Sequence, residues 1–143
     1  FKIKDLIKIL ISPFLVFMLG YSLEIGSASY HILWWPNRLV HFLGGLSIAV
    51  AGYFILNLIK KRKLINTSNK AIDFLIIFLF VMSITVFWEF YEFLSDKYFY
   101  THAQPSVDDT MKDQFMGGVG AIFFGISWLF ASFIGKIKKK LNS

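Results

Sequence analysis

Apolar residues in this chain gather in four long blocks separated by short polar connections, from about Leu6 to Leu23, about Arg38 to Ile59, about Ile72 to Leu94 and about Gln114 to Ile137. Each block holds roughly 20 residues, and at about 1.5 Å of rise per helical residue each spans a hydrocarbon core about 30 Å thick. The pattern predicts an all-α, polytopic membrane protein, a four-transmembrane-helix bundle in which residues 1–143 form a single integral membrane domain. Ser12-Pro13 predicts a kink in the first helix that its neighbours must accommodate. Trp34 and Trp35 before Pro36-Asn37, and Tyr98-Phe99-Tyr100 in the last connection, are aromatic anchors of the kind found at the headgroup level. The chain shows no internal repeat and no second domain.

Composition agrees with the pattern. Of 143 residues 56% are hydrophobic, and the mean hydropathy of +0.59 excludes a water-soluble globule. With no cysteine, disulfides, iron–sulfur clusters, thiolate nucleophiles and Cys-ligated zinc are excluded, so any metal must rest on nitrogen and oxygen.

The net charge of +6 and pI near 9.6 raise the question of nucleic acid, which the positions of the basic residues answer. Lys2, Lys4 and Lys8 lie before or at the start of the first block, Lys60, Lys61, Arg62, Lys63 and Lys70 separate the second from the third, and Lys136, Lys138, Lys139 and Lys140 lie at or beyond the end of the fourth. Only Arg38, Lys97 and Lys112 fall in the other connections. By the positive-inside rule both termini are expected in the cytoplasm, with the chain a multi-pass protein of the cell (plasma) membrane. The basic excess is read as contact with anionic lipid headgroups at the cytoplasmic face, and not as nucleic-acid binding. The amino-terminal stretch also has the form of a secretory signal, with small residues Gly26-Ser27-Ala28-Ser29 beyond it. A retained first helix is the expectation, because the segment is present in the chain.

Acids and histidines are polarised in the opposite sense. Glu24, His31, His41, Glu89, Glu92, Asp96, His102, Asp108, Asp109 and Asp113 all fall on the non-cytoplasmic half, and only Asp5 and Asp73 do not. Helical spacing indicates where they face. Arg38, His41, Gly45, Ala49 and Gly52 share a stripe of the second helix; Asp109, Asp113, Gly117, Ala121 and Gly125 are each four apart, provided the fourth helix begins near Asp109; Thr85, Glu89, Glu92 and Asp96 form one face of the third. Small-residue stripes are where membrane helices approach closely, so three helices are expected to aim imidazole and carboxylates inward at similar depth.

Glu89 lies about five residues, or roughly 8 Å, inside the end of its block. A charge at the centre of a span costs about 2.5–3.5 kcal/mol on insertion scales, so these carboxylates must be protonated, paired or metal-bound. Arg38 can neutralise one of them. A divalent cation is the simplest group that removes the remaining repulsion. The sequence thus points to a metal site of His41, Glu89, Asp109 and Asp113, with Glu92 and Arg38 beside it. Carboxylate ligands favour Mg²⁺ or Mn²⁺, and the imidazole leaves Zn²⁺ or Fe²⁺ open. The alternative is a metal-free clamp in which Arg38 and His41 hydrogen-bond the acids and lock the helices together. His31 and His102 are read as solvated or interfacial, and Ser47 as packing within a helix. The glycines at 117, 118 and 120 follow no strand and make no phosphate loop.

Three segments carry a family resemblance: Arg38-Leu39-Val40-His41-Phe42-Leu43-Gly44-Gly45; Trp88-Glu89-Phe90-Tyr91-Glu92-Phe93-Leu94-Ser95-Asp96; and Asp108-Asp109-Thr110-Met111-Lys112-Asp113 leading to Gly117-Gly118-Val119-Gly120-Ala121. In order and spacing they resemble the YjdF-like membrane proteins over about residues 34–130, and more remotely VanZ-like proteins, which are linked with glycopeptide resistance and the cell envelope. The resemblance implies a signature of His41, Glu89, Glu92, Asp109 and Asp113. The resemblance also implies that family members often carry additional amino-terminal spans, so a function residing in such spans is not expected of residues 1–143.

Two active functions fit the cluster. One is an envelope enzyme, a metal-dependent hydrolase or transferase acting on a lipid or lipid-linked phosphate, with Glu92 as general base and Arg38 receiving an anionic headgroup. The other is cation or proton transport, which needs a polar path; the inner halves offer little beyond Thr85, Ser83 and Ser47, so transport would require a homo-oligomer. A structural or partner-stabilising membrane subunit is the third reading.

Overall fold

The computed structural model describes residues 3–26, 35–101 and 103–141. Lys2, Ser27 to Ser29, His31, Trp34 and His102 lie outside the described residues, as do the side chains of Glu24, Lys136, Lys139 and Lys140. The described chain is all-helical: α1 (Ile3–Gly26), α2 (Trp35–Lys61), α3 (Lys70–Phe99) and α4 (Val107–Leu141). All four are long and apolar enough to cross a bilayer.

Each helix overruns its apolar block because polar residues at the ends satisfy the terminal backbone groups. Asn69 caps α3, its side chain accepting from the Ala71 amide at 2.9 Å. Ser106 caps α4, its hydroxyl accepting from the Asp109 amide at 3.1 Å, which starts the helix seven residues ahead of the apolar block. At the end of α2 the Lys63 amide donates to the Lys60 carbonyl (2.9 Å) and the Leu64 amide to the Ile59 carbonyl (3.2 Å), with Lys63 left-handed at φ 59°. That is a Schellman stop, in which the left-handed position more often holds glycine.

α2 is the centre of the bundle and packs against α1, α3 and α4, while α3 also packs on α4. The small-residue stripes meet as their spacing predicts. A methyl group added at Gly45 would overlap the Gly117 carbonyl, and one at Gly120 would overlap the Phe42 carbonyl and the Leu46 amide, so α2 and α4 touch backbone to backbone. Below this contact Ala49, Leu56, Ile77, Val81 and Ala121 form a buried apolar core. Gly125 leaves room for the Phe74 ring of α3.

α1 is peripheral. It runs without interruption through Pro13, and the Ser12 hydroxyl donates to the Ser47 carbonyl of α2 at 3.3 Å. Gly20 lies against Val40, and Phe17 meets Trp88 of α3 edge-on at 6.1 Å. Most of its other apolar side chains, Phe14 and Leu15 among them, are exposed, as suits a helix whose solvent is acyl chain.

The α2–α3 connection carries an ionic contact. Asp73, buried in the first turn of α3, accepts from Lys60 at 2.5 Å and from the Thr67 hydroxyl. This ties the two helices at the end of the bundle opposite the histidine and most of the acids.

The glycine contacts give a direct comparison. A methyl group added at Gly44 would meet nothing within 4 Å, whereas Gly45 and Gly120 face backbone. Gly44→Ala should leave thermal unfolding in detergent unchanged or raise stability by up to about 1 kcal/mol through helix propensity. Gly45→Ala and Gly120→Ala should each lose about 1–3 kcal/mol by overpacking. Equal midpoints for the three variants would show that the close approach of α2 and α4 is wrong.

Candidate functional site

The site forms where the first turns of α2 and α4 meet the last third of α3. The Ser106 cap places Asp109 and Asp113 on the first two turns of α4, one above the other. The start of α2 at Trp35 likewise places Asn37, Arg38 and His41 on its first two turns. Glu89 closes the buried row Asp73, Ile77, Val81, Thr85 and Glu89 on α3, an i, i+4 stripe with a carboxylate at each end and apolar residues and a threonine between.

Asp113 is the hub. It is 2% exposed and receives the Arg38 guanidinium on Oδ1 and the Asn37 amide on Oδ2 at 3.1 Å. His41 Nε2 stands 3.6 Å from the same Oδ2, beyond a good hydrogen bond. Arg38 also grips Asp109, reaching its carboxylate through a second nitrogen and its carbonyl at 3.4 Å. One planar cation thus bridges two carboxylates a helical turn apart, a task suited to the guanidinium fork.

Glu89 enters from the opposite side and is 5% exposed. Its Oε2 accepts from the Gln104 side-chain amide at 3.2 Å, and the same amide reaches the Glu89 carbonyl at 3.4 Å. Its Oε1 is buried with no hydrogen-bond partner among the described residues. The Thr110 hydroxyl donates to the Ser106 carbonyl at 3.4 Å. His41, Glu89 and Asp113 each offer a ligand atom within 4.8 Å of the others.

The structure therefore brings together three of the four residues expected to hold a metal. Asp109, the fourth, is engaged by Arg38 at the rim and is not among the three. Glu92 is half-buried and accepts from the Trp88 indole at 2.7 Å, on the side where Phe17 of α1 packs. Thr85 turns its hydroxyl to the Met82 carbonyl at 2.9 Å and lies against Gly117. Asp96 bends over the following connection, accepting from the Thr101 hydroxyl (2.6 Å) and from the amides of Ala103 (2.6 Å) and Gln104 (2.8 Å). The polar face expected on α3 is thus divided among four tasks.

Asn37 and Gln104 were not anticipated from sequence. Asn37 is four residues before His41 and so on its stripe, a signal that its place beside Pro36 masked. Gln104 is in an aperiodic connection, where spacing carries no information.

Residues 1–134 match the family described as Predicted membrane protein (DUF2238), and the chain belongs to that family of membrane proteins. No curated protein and no solved structure matches.

Two ion pairs on α4 allow a comparison of burial. Arg38→Met would leave Asp113 buried without its cation, a loss expected to cost about 3–5 kcal/mol. Lys112→Met breaks an exposed i, i+4 pair with Asp108, a kind of pair worth about 0.3–0.5 kcal/mol. Circular dichroism melts in detergent should separate the two variants by many degrees; similar melts would mean that Asp113 is not buried as described.

Proposed function

We propose that the protein binds a divalent cation in the membrane through His41, Glu89 and Asp113, and that this site serves an envelope enzyme acting on a lipid or lipid-linked phosphate. The observation that carries the reading is the buried, unpartnered Glu89 Oε1, set in one small volume with imidazole nitrogen and a second carboxylate. An isolated carboxylate oxygen in such a place is costly, and Arg38, already shared by Asp109 and Asp113, does not hydrogen-bond it. The separation of 3.6 Å between His41 Nε2 and Asp113 Oδ2 is close to the about 3.4 Å between two ligands of a tetrahedral ion with bonds of about 2.1 Å. One nitrogen and two oxygens suit Mn²⁺, Fe²⁺ or Zn²⁺, and Mg²⁺ with less help from the imidazole.

Such an ion would supply Lewis acidity toward a phosphoryl oxygen and a bound water of lowered pKa. The protein's own groups have separate roles. Asn37 and Arg38 orient Asp113. Arg38 also lines an open groove of about 350 Å³ with Lys112, Phe115 and Met116, where an amphiphile's headgroup can reach its remaining N–H donors. Glu92, one turn from Glu89, is the general base, and Asp109 holds Arg38 in register. The positive-inside pattern supports a site facing outward with both termini cytoplasmic and the Lys-rich end on anionic headgroups. The remoter resemblance to VanZ-like sequences is what suggests an envelope role.

A transport path has less support, because Val81, Ile77 and Leu56 fill the bundle below Glu89. The clamp reading is favoured by one feature, the engagement of Asp113 by both Arg38 and Asn37, yet it leaves Glu89 Oε1 unexplained.

Elemental analysis of detergent-purified protein equilibrated with Mn²⁺, Fe²⁺, Zn²⁺ and Mg²⁺ should find about one ion per chain, held at least tenfold more weakly in Glu89→Gln and His41→Ala. Loaded protein should release phosphate from a lipid-linked diphosphate in mixed micelles, and Glu92→Gln should lose that activity while keeping the ion. No bound metal, with Glu89→Gln more stable than the parent, would establish the clamp; metal without turnover of any lipid phosphate would refute the enzyme.

A further inference from the structure

We infer that Asp96 and Gln104 are positioning residues that decide which oxygen of Glu89 is presented to the cation, an inference that rests on the metal-binding reading above. α3 ends at Phe99, and Tyr100 takes a left-handed conformation with its amide on the Asp96 carbonyl at 3.1 Å, which reverses the chain. The Asp96 carboxylate then fastens the returning segment at three points. Oδ1 receives the Thr101 hydroxyl and the Ala103 amide, and Oδ2 receives the Gln104 amide. This brings residue 104 back alongside α3, with its backbone on the Asp96 carboxylate and its side chain toward Glu89, two turns earlier on the helix.

From there the Gln104 side chain donates to both Glu89 Oε2 and the Glu89 carbonyl. Two acceptors on one residue fix the amide, and the amide fixes the carboxylate. With Oε2 engaged, Oε1 is the oxygen left without a partner, and Glu89 lies in ligand range of His41 and Asp113. Outer partners of this kind orient ligands and typically change metal affinity 10–100-fold when removed. The loop anchor thereby acts on the cation through one hydrogen bond, although Asp96 itself is not a ligand.

The test is a double-mutant cycle on Mn²⁺ affinity, read by electron paramagnetic resonance of the free ion above the whole protein in detergent. Gln104→Leu removes the donor to Glu89. Asp96→Asn replaces the acceptor at the Gln104 amide by a group that can present N–H. Each should weaken Mn²⁺ binding about 10–100-fold, and the double variant no further than the weaker-binding single, since both break the same connection. Thr101→Ala, which loosens the loop without touching Gln104, should stay within about twofold of the parent. Affinities unchanged in both single variants, or losses that multiply in the double, would overturn the inference even if the parent binds Mn²⁺. A parent that binds none would refute the cation site itself and this inference with it. Should Asp96→Asn fail to fold, Gln104→Leu beside Thr101→Ala decides the matter, because a loop effect alone would move both.

Discussion

Asp113 sits almost fully buried between two helices whose backbones touch, and its charge has to be answered inside the bundle. The rest of the arrangement follows from that constraint. Arg38 must reach it, so α2 begins with its polar turn level with the start of α4. Asp109 must share Arg38, so α4 begins several residues before its apolar block. The glycines must be where they are, because only a backbone-to-backbone approach brings both turns within reach of one guanidinium. In water such a pair would be worth little; between helices, with few alternative partners, removing one member leaves an uncompensated charge.

The four spans and the inward stripes of α2 and α4 were legible from residue spacing. Gly45, Ala49, Gly117 and Ala121 are buried at the intervals that predicted it. What spacing could not distinguish is what a polar side chain does once it faces inward. Thr85, Glu89, Glu92 and Asp96 lie at helical intervals, yet they variously pack, point into the cluster, meet an indole and fasten a loop. Those differences depend on what stands opposite, and that is a property of tertiary structure. Asp109 illustrates the same point, since its place on the stripe was correct and its partner is Arg38. Asp73 was seen only as an outlier from the polarised acids, and its contact with Lys60 and Thr67 requires knowing how the α2–α3 connection turns.

The two ends of the bundle use ionic contacts differently. At one end Lys60 and Asp73 complete each other, with Thr67 as an added donor, and the pair joins two helices. At the other the carboxylates outnumber the cation beside them, and one oxygen is left over. An apolar core separates the two ends, so the surplus of carboxylates is confined to one end of the helical bundle. The family to which the chain belongs is one of membrane proteins, and in this member a half-buried His41 stands with buried Glu89 and Asp113 within ligand distance of one another.

Whether a metal is held by these three side chains can be read from the ion's own nuclear couplings. Electron spin-echo envelope modulation of Mn²⁺ bound to the purified protein should show coupling to one imidazole nitrogen that disappears in His41→Ala. Bound Mn²⁺ with no nitrogen coupling, or a coupling that survives that substitution, would contradict a centre built from His41, Glu89 and Asp113.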